Sequence, residues 1–310
     1  MTSHESRVRR GTLYGAAAYL LWGVFPLYFP LLEPAGPVEI LAHRIVWTLL
    51  VCAVVLTVAR GWRKVREVAS SPRQLVLLAA AAVFIALNWG VYIHGVNSGQ
   101  VVETSLGYFV NPIVTVLLGV LVLHERLRPL QWAAIGIGTV AVVVLAVDYG
   151  RLPWIALLLA FSFGIYGLLK NRIGRGVGAL TSLSVEAALL APLAVAGIAW
   201  FELTGRGTFT HDAPGHALLL VLTGLVTAVP LLFFASAARR VPLSTIGLLQ
   251  YLAPVLQFLI GVVVLSEPMP ASRWFGFALV WLALALLSAD LLRTVRSRVR
   301  LTREVAAPVV

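Results

Sequence analysis

Long apolar runs alternate with short polar or charged breaks along this chain, and the runs set the architecture. A helix crossing a hydrocarbon core of about 30 Å needs about 20 apolar residues. Ten runs of that order occur, at residues 11–32, 38–59, 74–96, 101–123, 130–148, 152–170, 179–201, 216–238, 243–265 and 272–292. The longest connections, Arg60–Arg73 and Glu202–Gly215, are too short to hold a soluble domain. The pattern predicts an all-α integral membrane protein with ten transmembrane helices. The first run follows basic residues but exceeds the roughly 7–15 apolar residues of a signal peptide. It is expected to be retained.

Composition agrees with that reading. Of 310 residues, 60% are hydrophobic and only 12% charged, where soluble domains carry about 25% charged residues. A single cysteine, Cys52, lies inside an apolar run, which excludes a disulfide framework and a cysteine-based metal site. The net charge of +11 is a matter of placement. With the N-terminus in the cytoplasm, twenty Lys and Arg fall inside, Arg151, Arg206 and Arg273 fall outside, and Arg44 falls within a span. Positive charge gathers on the cytoplasmic side of membrane proteins, so both termini are expected there. The basic loop 60–73 and the tail 293–303 are expected to meet anionic lipid headgroups. The basic residues are scattered over short loops without interleaved aromatics, so nucleic-acid binding is not expected. Trp62, Trp154 and Trp200, near span ends, read as interface anchors.

A shift of 142 residues superposes the halves. Pro112 falls on Pro254, Gly119 on Gly261, Leu123 on Leu265, Glu125 on Glu267 and Trp132 on Trp274. The chain then divides into a cytoplasmic tail (1–10), a first five-helix repeat (11–148), a second (152–292) and a basic cytoplasmic tail (293–310). Five is odd, so the second repeat enters the membrane from the opposite side. Two inverted five-helix repeats are an arrangement that recurs in secondary transporters.

Several stretches carry a family resemblance: Ala18-Tyr19-Leu20-Leu21-Trp22-Gly23, Ala42-His43-Arg44-Ile45-Val46-Trp47, Asn88-Trp89, and Ser105-Leu106-Gly107-Tyr108-Phe109-Val110-Asn111-Pro112. Thr245-Ile246-Gly247, Gln250-Tyr251 and Pro254 complete the set. Over about residues 11–292 the sequence resembles the RarD group of EamA-type permeases in the drug/metabolite transporter superfamily. The resemblance implies ten helices in two inverted repeats and small-molecule permeation.

Polar groups in hydrocarbon are costly unless they face the bundle interior, so they mark a candidate pathway. Pro112 and Pro254 lie near the midplane, where each removes a backbone donor. They are expected to interrupt their helices and act as hinges, or only to shape packing. Asn88, Trp89, Tyr92, Tyr108 and Asn111 lie at similar depth and suit a neutral or amphipathic organic molecule. With Trp22, Gln250 and Tyr251 they form the candidate substrate-binding set. Arg44 and Glu186 are repeat-equivalent charges deep in their spans. Each reads as coupling or charge recognition, or as a buried charge satisfied by a partner, and their depths argue against direct pairing. Glu125 and Glu267 read as structural turns. Ala134 and Gly138, spaced by four, suit close helix contact within or between chains.

No G-x-x-x-x-G-K-[S/T] phosphate loop is present, so the chain is not expected to hydrolyse ATP. No metal site, cofactor or catalytic set is expected. The sequence thus predicts a secondary transporter of the plasma (inner) membrane, not an enzyme, that exports a small organic metabolite or drug by alternating access. Its partners are the solute and membrane lipids, with proton coupling and a homodimer left open. The alternatives are a membrane-embedded enzyme acting on lipid-linked substrates, with His211, Asp212 and His216 as candidates, and a non-transporting scaffold. The 202–215 loop, polar and rich in Gly and Pro, reads as a flexible connector.

Overall fold

The computed structural model describes residues 3–305 except 125, 126, 175, 239 and 242. Thirteen α-helices are present among the described residues: α1 (Ser3–Gly23), α2 (Phe25–Tyr28), α3 (Pro37–Val58), α4 (Trp62–Ala69), α5 (Pro72–Asn97), α6 (Val101–Leu123), α7 (Pro129–Tyr149), α8 (Trp154–Ile173), α9 (Ala179–Leu203), α10 (Pro214–Ala238), α11 (Leu243–Leu249), α12 (Leu252–Leu259) and α13 (Ala271–Val305). Nine helical segments are long and apolar enough to cross a membrane, and a bent pair, Arg7–Gly23 with Phe25–Leu32, makes a tenth. The protein is therefore an all-helical, multi-pass membrane protein. Large apolar side chains such as Val58, Val76, Val147, Leu193 and Leu203 stay exposed on the bundle surface, as lipid-facing positions require.

Local chemistry sets the ends of the helices. Pro37, Pro72 and Pro129 occupy first helical positions, where a missing N–H costs nothing. Gly150, at φ 64°, ends α7. Between α3 and α5 lies α4, a short charged helix with an exposed Arg63–Glu67 pair. Its Val68 is buried against Leu78 and Val185.

Long-range contacts pair α6 and α5 with α8, α3 with α9 and α10, α1 with α10 and α12, and α7 with α13. Two crossings leave no room for a side chain. A Cβ at Gly107 would lie 2.9 Å from the Ala156 carbonyl oxygen of α8, and one at Gly224 of α10 would lie 2.5 Å from the Trp47 carbonyl of α3. Ala134 and Gly138 of α7 are both buried within the chain, Gly138 against Ile113 of α6. Their small size thus serves contact inside one molecule.

Three buried or half-buried carboxylates satisfy backbone N–H groups at one end of the bundle. Glu103 accepts from Ile155 N at 3.0 Å and pairs with Arg151 at 2.7 Å. Glu267 accepts from Val101 N at 2.6 Å and Val102 N at 2.9 Å, the first turn of α6. Glu39 accepts from Thr208 N at 2.7 Å. We call this the carboxylate-capped end. The opposite end carries α4, Lys170 and the Arg128–Asp290 pair and is the basic end. Glu267 is thus structural, as the sequence suggests, while Glu125 lies outside the described residues. The 202–215 loop, expected to be a flexible connector, is instead docked. Besides the Glu39 contact, its Phe209 stacks on His43 at 4.8 Å.

The breaks differ from those the prolines predict. Helix α6 runs unbroken through Pro112. One missing N–H frees a single carbonyl, which a packed helix tolerates. The interruption lies in the second half, at Gln250–Tyr251 between α11 and α12, just before Pro254. A second break separates α1 from α2 at Val24. There the buried Gln257 of α12 donates Nε2 to the Trp22 carbonyl at 3.0 Å, satisfying a group that the break exposes.

Candidate functional site

Helix α3 enters at the carboxylate-capped end and carries Arg44 into the bundle, where it is 4% exposed. Its Nε donates to Thr227 of α10 at 2.9 Å. Its guanidinium carbon lies 4.1 Å from the Trp89 ring centroid and 5.6–5.7 Å from those of Phe29 and Phe25. A desolvated cation over an indole face gains about 2 kcal/mol or more. That offsets only part of the cost of removing the charge from water, which is several kcal/mol. Arg44 makes no ion pair among the described residues. Three tyrosines, Tyr28, Tyr92 and Tyr108, lie within its electrostatic range.

Glu186 sits in α9 at the other end and is 1% exposed. Lys170 of α8 approaches its Oε1 to 2.7 Å, Ser182 donates to the same oxygen at 2.8 Å, and the Tyr166 hydroxyl donates to Oε2 at 3.2 Å. Lys170 also bonds Ser182. Every strong acceptor of the carboxylate is used, so this charge is fully compensated. Arg44 and Glu186 accordingly have separate partners and do not pair, in line with the depth argument.

Rings connect the two centres. Phe29 meets Tyr92 at 5.9 Å between centroids, Tyr92 meets Tyr108 at 5.7 Å, Tyr108 meets Phe163 at 6.2 Å and Phe163 meets Tyr166 at 6.0 Å. Tyr166 then reaches Glu186. From Phe29, just past α2, the ladder runs through α5, α6 and α8, and the close crossing of α6 and α8 at Gly107 brings their rings together. Phe163, Tyr166, Lys170 and Thr227 were absent from the set predicted from sequence. For Phe163, Tyr166 and Lys170 the signal was present, since they recur at helical spacing on one face of α8.

The predicted residues separate into groups. Asn88 and Tyr108 do meet, the Tyr108 hydroxyl donating to Asn88 Oδ1 at 3.2 Å. The Asn88 amide, however, donates to Leu159 O and Ser162 Oγ, both at 3.0 Å. Asn88 therefore ties three helices together, with its donors already used. Trp89, the next residue, faces α3 and carries Arg44. Tyr92 is 2% exposed, and its hydroxyl has no hydrogen-bond partner among the described residues. Asn111 is half-buried and accepts from Thr115 Oγ1 of its own helix at 2.9 Å. Trp22 packs between Tyr19 and Phe234 at 5.3 and 6.0 Å. Gln250 and Tyr251 lie at the α11–α12 break, Tyr251 beside Ser288 of α13. The three residues weighed for an enzymatic site do not converge: His216 turns to Thr208 and His211 to Glu202.

Comparison with known proteins identifies related chains. The model of the EamA-like transporter family matches twice, at residues 9–147 and 152–289. The chain is 55% identical over 307 residues to Protein RarD of Streptomyces exfoliatus, covering 99% of this chain and 96% of that one. It is 39% identical over 292 residues to Protein RarD of Escherichia coli strain K12, covering 94% and 97%. It is 32% identical over 295 residues to the Chloramphenicol-sensitive protein RarD of Pseudomonas aeruginosa, covering 94% and 97%. A solved crystal structure superposes with a TM-score of 0.60 at 22% identity, covering 91% of this chain and 98% of that one, a likeness of fold.

Proposed function

Because the chain belongs to the EamA-like transporter family, in its RarD group, we propose that it is a secondary permease exporting a small organic metabolite or drug across the plasma membrane by alternating access. The observation that carries the reading is the joined pair of buried centres. An arginine with no counter-ion among the described residues lies toward one end, a compensated ion pair toward the other, and a ladder of rings runs between them. A static scaffold gains nothing from a buried, uncompensated charge, whereas a solute-binding path does.

The orientation follows from charge. The basic end faces the cytoplasm, with both termini on that side. The two halves are inverted five-helix repeats, 11–148 and 152–292. Helix neighbours support this, because exchanging the halves exchanges the contacts. The α5–α8 contact becomes α10–α1, α6–α8 becomes α12–α1, and α3–α9 and α7–α13 map onto themselves. Alternating access would rock one repeat against the other. The breaks at Val24 and Gln250–Tyr251, in the packed neighbours α1 and α12, are the places to bend.

The test is solute accumulation in vesicles holding purified protein, in both orientations and with or without a proton gradient. Accumulation in one orientation that the Arg44→Gln variant lacks supports the reading. A protein that binds solutes and moves none overturns it.

A further inference from the structure

Within the permease reading, the geometry points to the Arg44 centre as a binding site for the carboxylate of a monoanionic organic acid, with Tyr92 as a second donor. Arginine presents five N–H donors in one plane. One of them, on Nε, is spent on Thr227. The four on the two terminal nitrogens donate to no group among the described residues. The cation lies against the Trp89 ring, an interaction with the ring face that leaves the in-plane N–H groups available. A guanidinium edge of this kind matches a carboxylate bidentately.

Tyr92 supplies the independent observation. Its hydroxyl is buried and unpartnered, and it lies within electrostatic range of both Arg44 and Tyr108. A buried hydroxyl with no partner among the described residues, within electrostatic range of a cation that forms no ion pair there, gives an anion two donors. The neighbourhood also restricts the rest of the ligand. Phe25, Phe29 and Trp89 offer apolar faces, so the surroundings of the head group favour an apolar body. Among the described residues the ionisable groups that act on Arg44 are tyrosines, and the carboxylates of Glu39, on the same helix, and Glu186 are engaged elsewhere, with Thr208 and Lys170. An α-ammonium group would therefore find no anionic acceptor among these neighbours, and a simple acid is preferred over the zwitterion of similar shape.

Equilibrium dialysis on the purified full chain tests this with three probes of one shape: 3-phenylpropionate, its amide, and phenylalanine. The acid should bind at least about tenfold more tightly than either of the others, since the site's unpaired donors need an anionic acceptor. Arg44→Lys should lose the preference. Tyr92→Phe removes only an unpaired hydroxyl, so it should keep the wild-type melting temperature while weakening the acid about fivefold or more. Equal binding of acid and amide, binding of none of the three, or an unchanged preference in both variants overturns the assignment. Parallel uptake into vesicles separates the two readings. Acid that binds and is never accumulated defeats transport alone, and amide that accumulates while the acid is ignored defeats the anion site alone.

Discussion

Lys170 and Glu186 are sixteen positions apart and meet at 2.7 Å across the short turn joining two consecutive helices. The carboxylate is 1% exposed and the ammonium side chain 28%. The lysine thus reaches in from the bundle end while the glutamate is held by Ser182 one turn earlier in its own helix.

The first prediction concerns this pair. Removing one member of a buried pair strands the other charge, at about 3–5 kcal/mol when both are buried. Partial exposure of Lys170 lowers that figure to about 2–3 kcal/mol for Lys170→Met. Glu186→Gln should cost less, since its oxygen still accepts from Ser182. In the Lys170→Met/Glu186→Gln double variant no charge is stranded, and the loss should fall below the sum of the singles by about 1–2 kcal/mol. Chemical denaturation of all four proteins in detergent gives the cycle. A strictly additive result would contradict the pairing.

A second prediction separates ring face from ring volume at Trp89. Trp89→Phe keeps an aromatic surface beneath Arg44 and should cost about 1 kcal/mol, whereas Trp89→Leu loses the cation–π contact altogether and should cost about 2 kcal/mol more. Solute affinity should fall in the same order. Equal losses for Phe and Leu, read from melting curves, would show that Trp89 acts only by filling space.

Much of this arrangement was legible beforehand. The apolar runs located the crossings, so that the run at 38–59 became Pro37–Val58 and that at 179–201 became Ala179–Leu203. The buried polar residues were also identifiable, because hydrocarbon leaves them few places to be. Their partners were harder to read. Adjacent helical positions point about 100° apart, which sends Asn88 to α8 and Trp89 to α3 although they share one depth. Lys170 looked like one more cytoplasmic charge. Yet it lies near the end of α8 while Glu186 lies two turns into α9, so depth alone would have matched them. The stack of Phe209 on His43 had no local signal, since it depends on how a loop folds back over the bundle. Pro112 misled for a physical reason, in that one lost hydrogen bond does not break a helix clamped by neighbours on several sides.

Acidity should affect Glu267 in a defined direction. Burial pushes its carboxyl up from the ordinary carboxylate value, against the two backbone N–H groups and Arg273 that pull it down. The folded chain therefore holds this proton more tightly than the unfolded chain. Its contribution to stability is fully present below the unfolded value of about 4.3 and is lost as pH rises through the folded one. Relative to Glu267→Gln, the wild-type protein should gain stability as pH falls from neutrality toward about 4. Paired melting curves across that range check the sign. A difference that grows with rising pH would mean the N–H groups outweigh burial.

The sharpest contrast lies between two asparagines that sequence placed in one site. Asn88 spends its amide on Leu159 and Ser162 and accepts from Tyr108. Asn88→Ala removes these bonds from the α5–α6–α8 junction and leaves two hydroxyls and a carbonyl without that partner. It should cost about 2–4 kcal/mol. Asn111 is half-buried, and its oxygen accepts only from Thr115 on the next turn. Asn111→Ala should cost less than about 1 kcal/mol. Solute binding should show the reverse order. Asn88→Ala protein that remains folded should keep near wild-type affinity, and Asn111→Ala should lose about fivefold or more if its amide faces the path. Melting temperature and dialysis on the same preparations give both numbers. An Asn88 variant that is stable but binds poorly would return that residue to the binding site and make the junction dispensable.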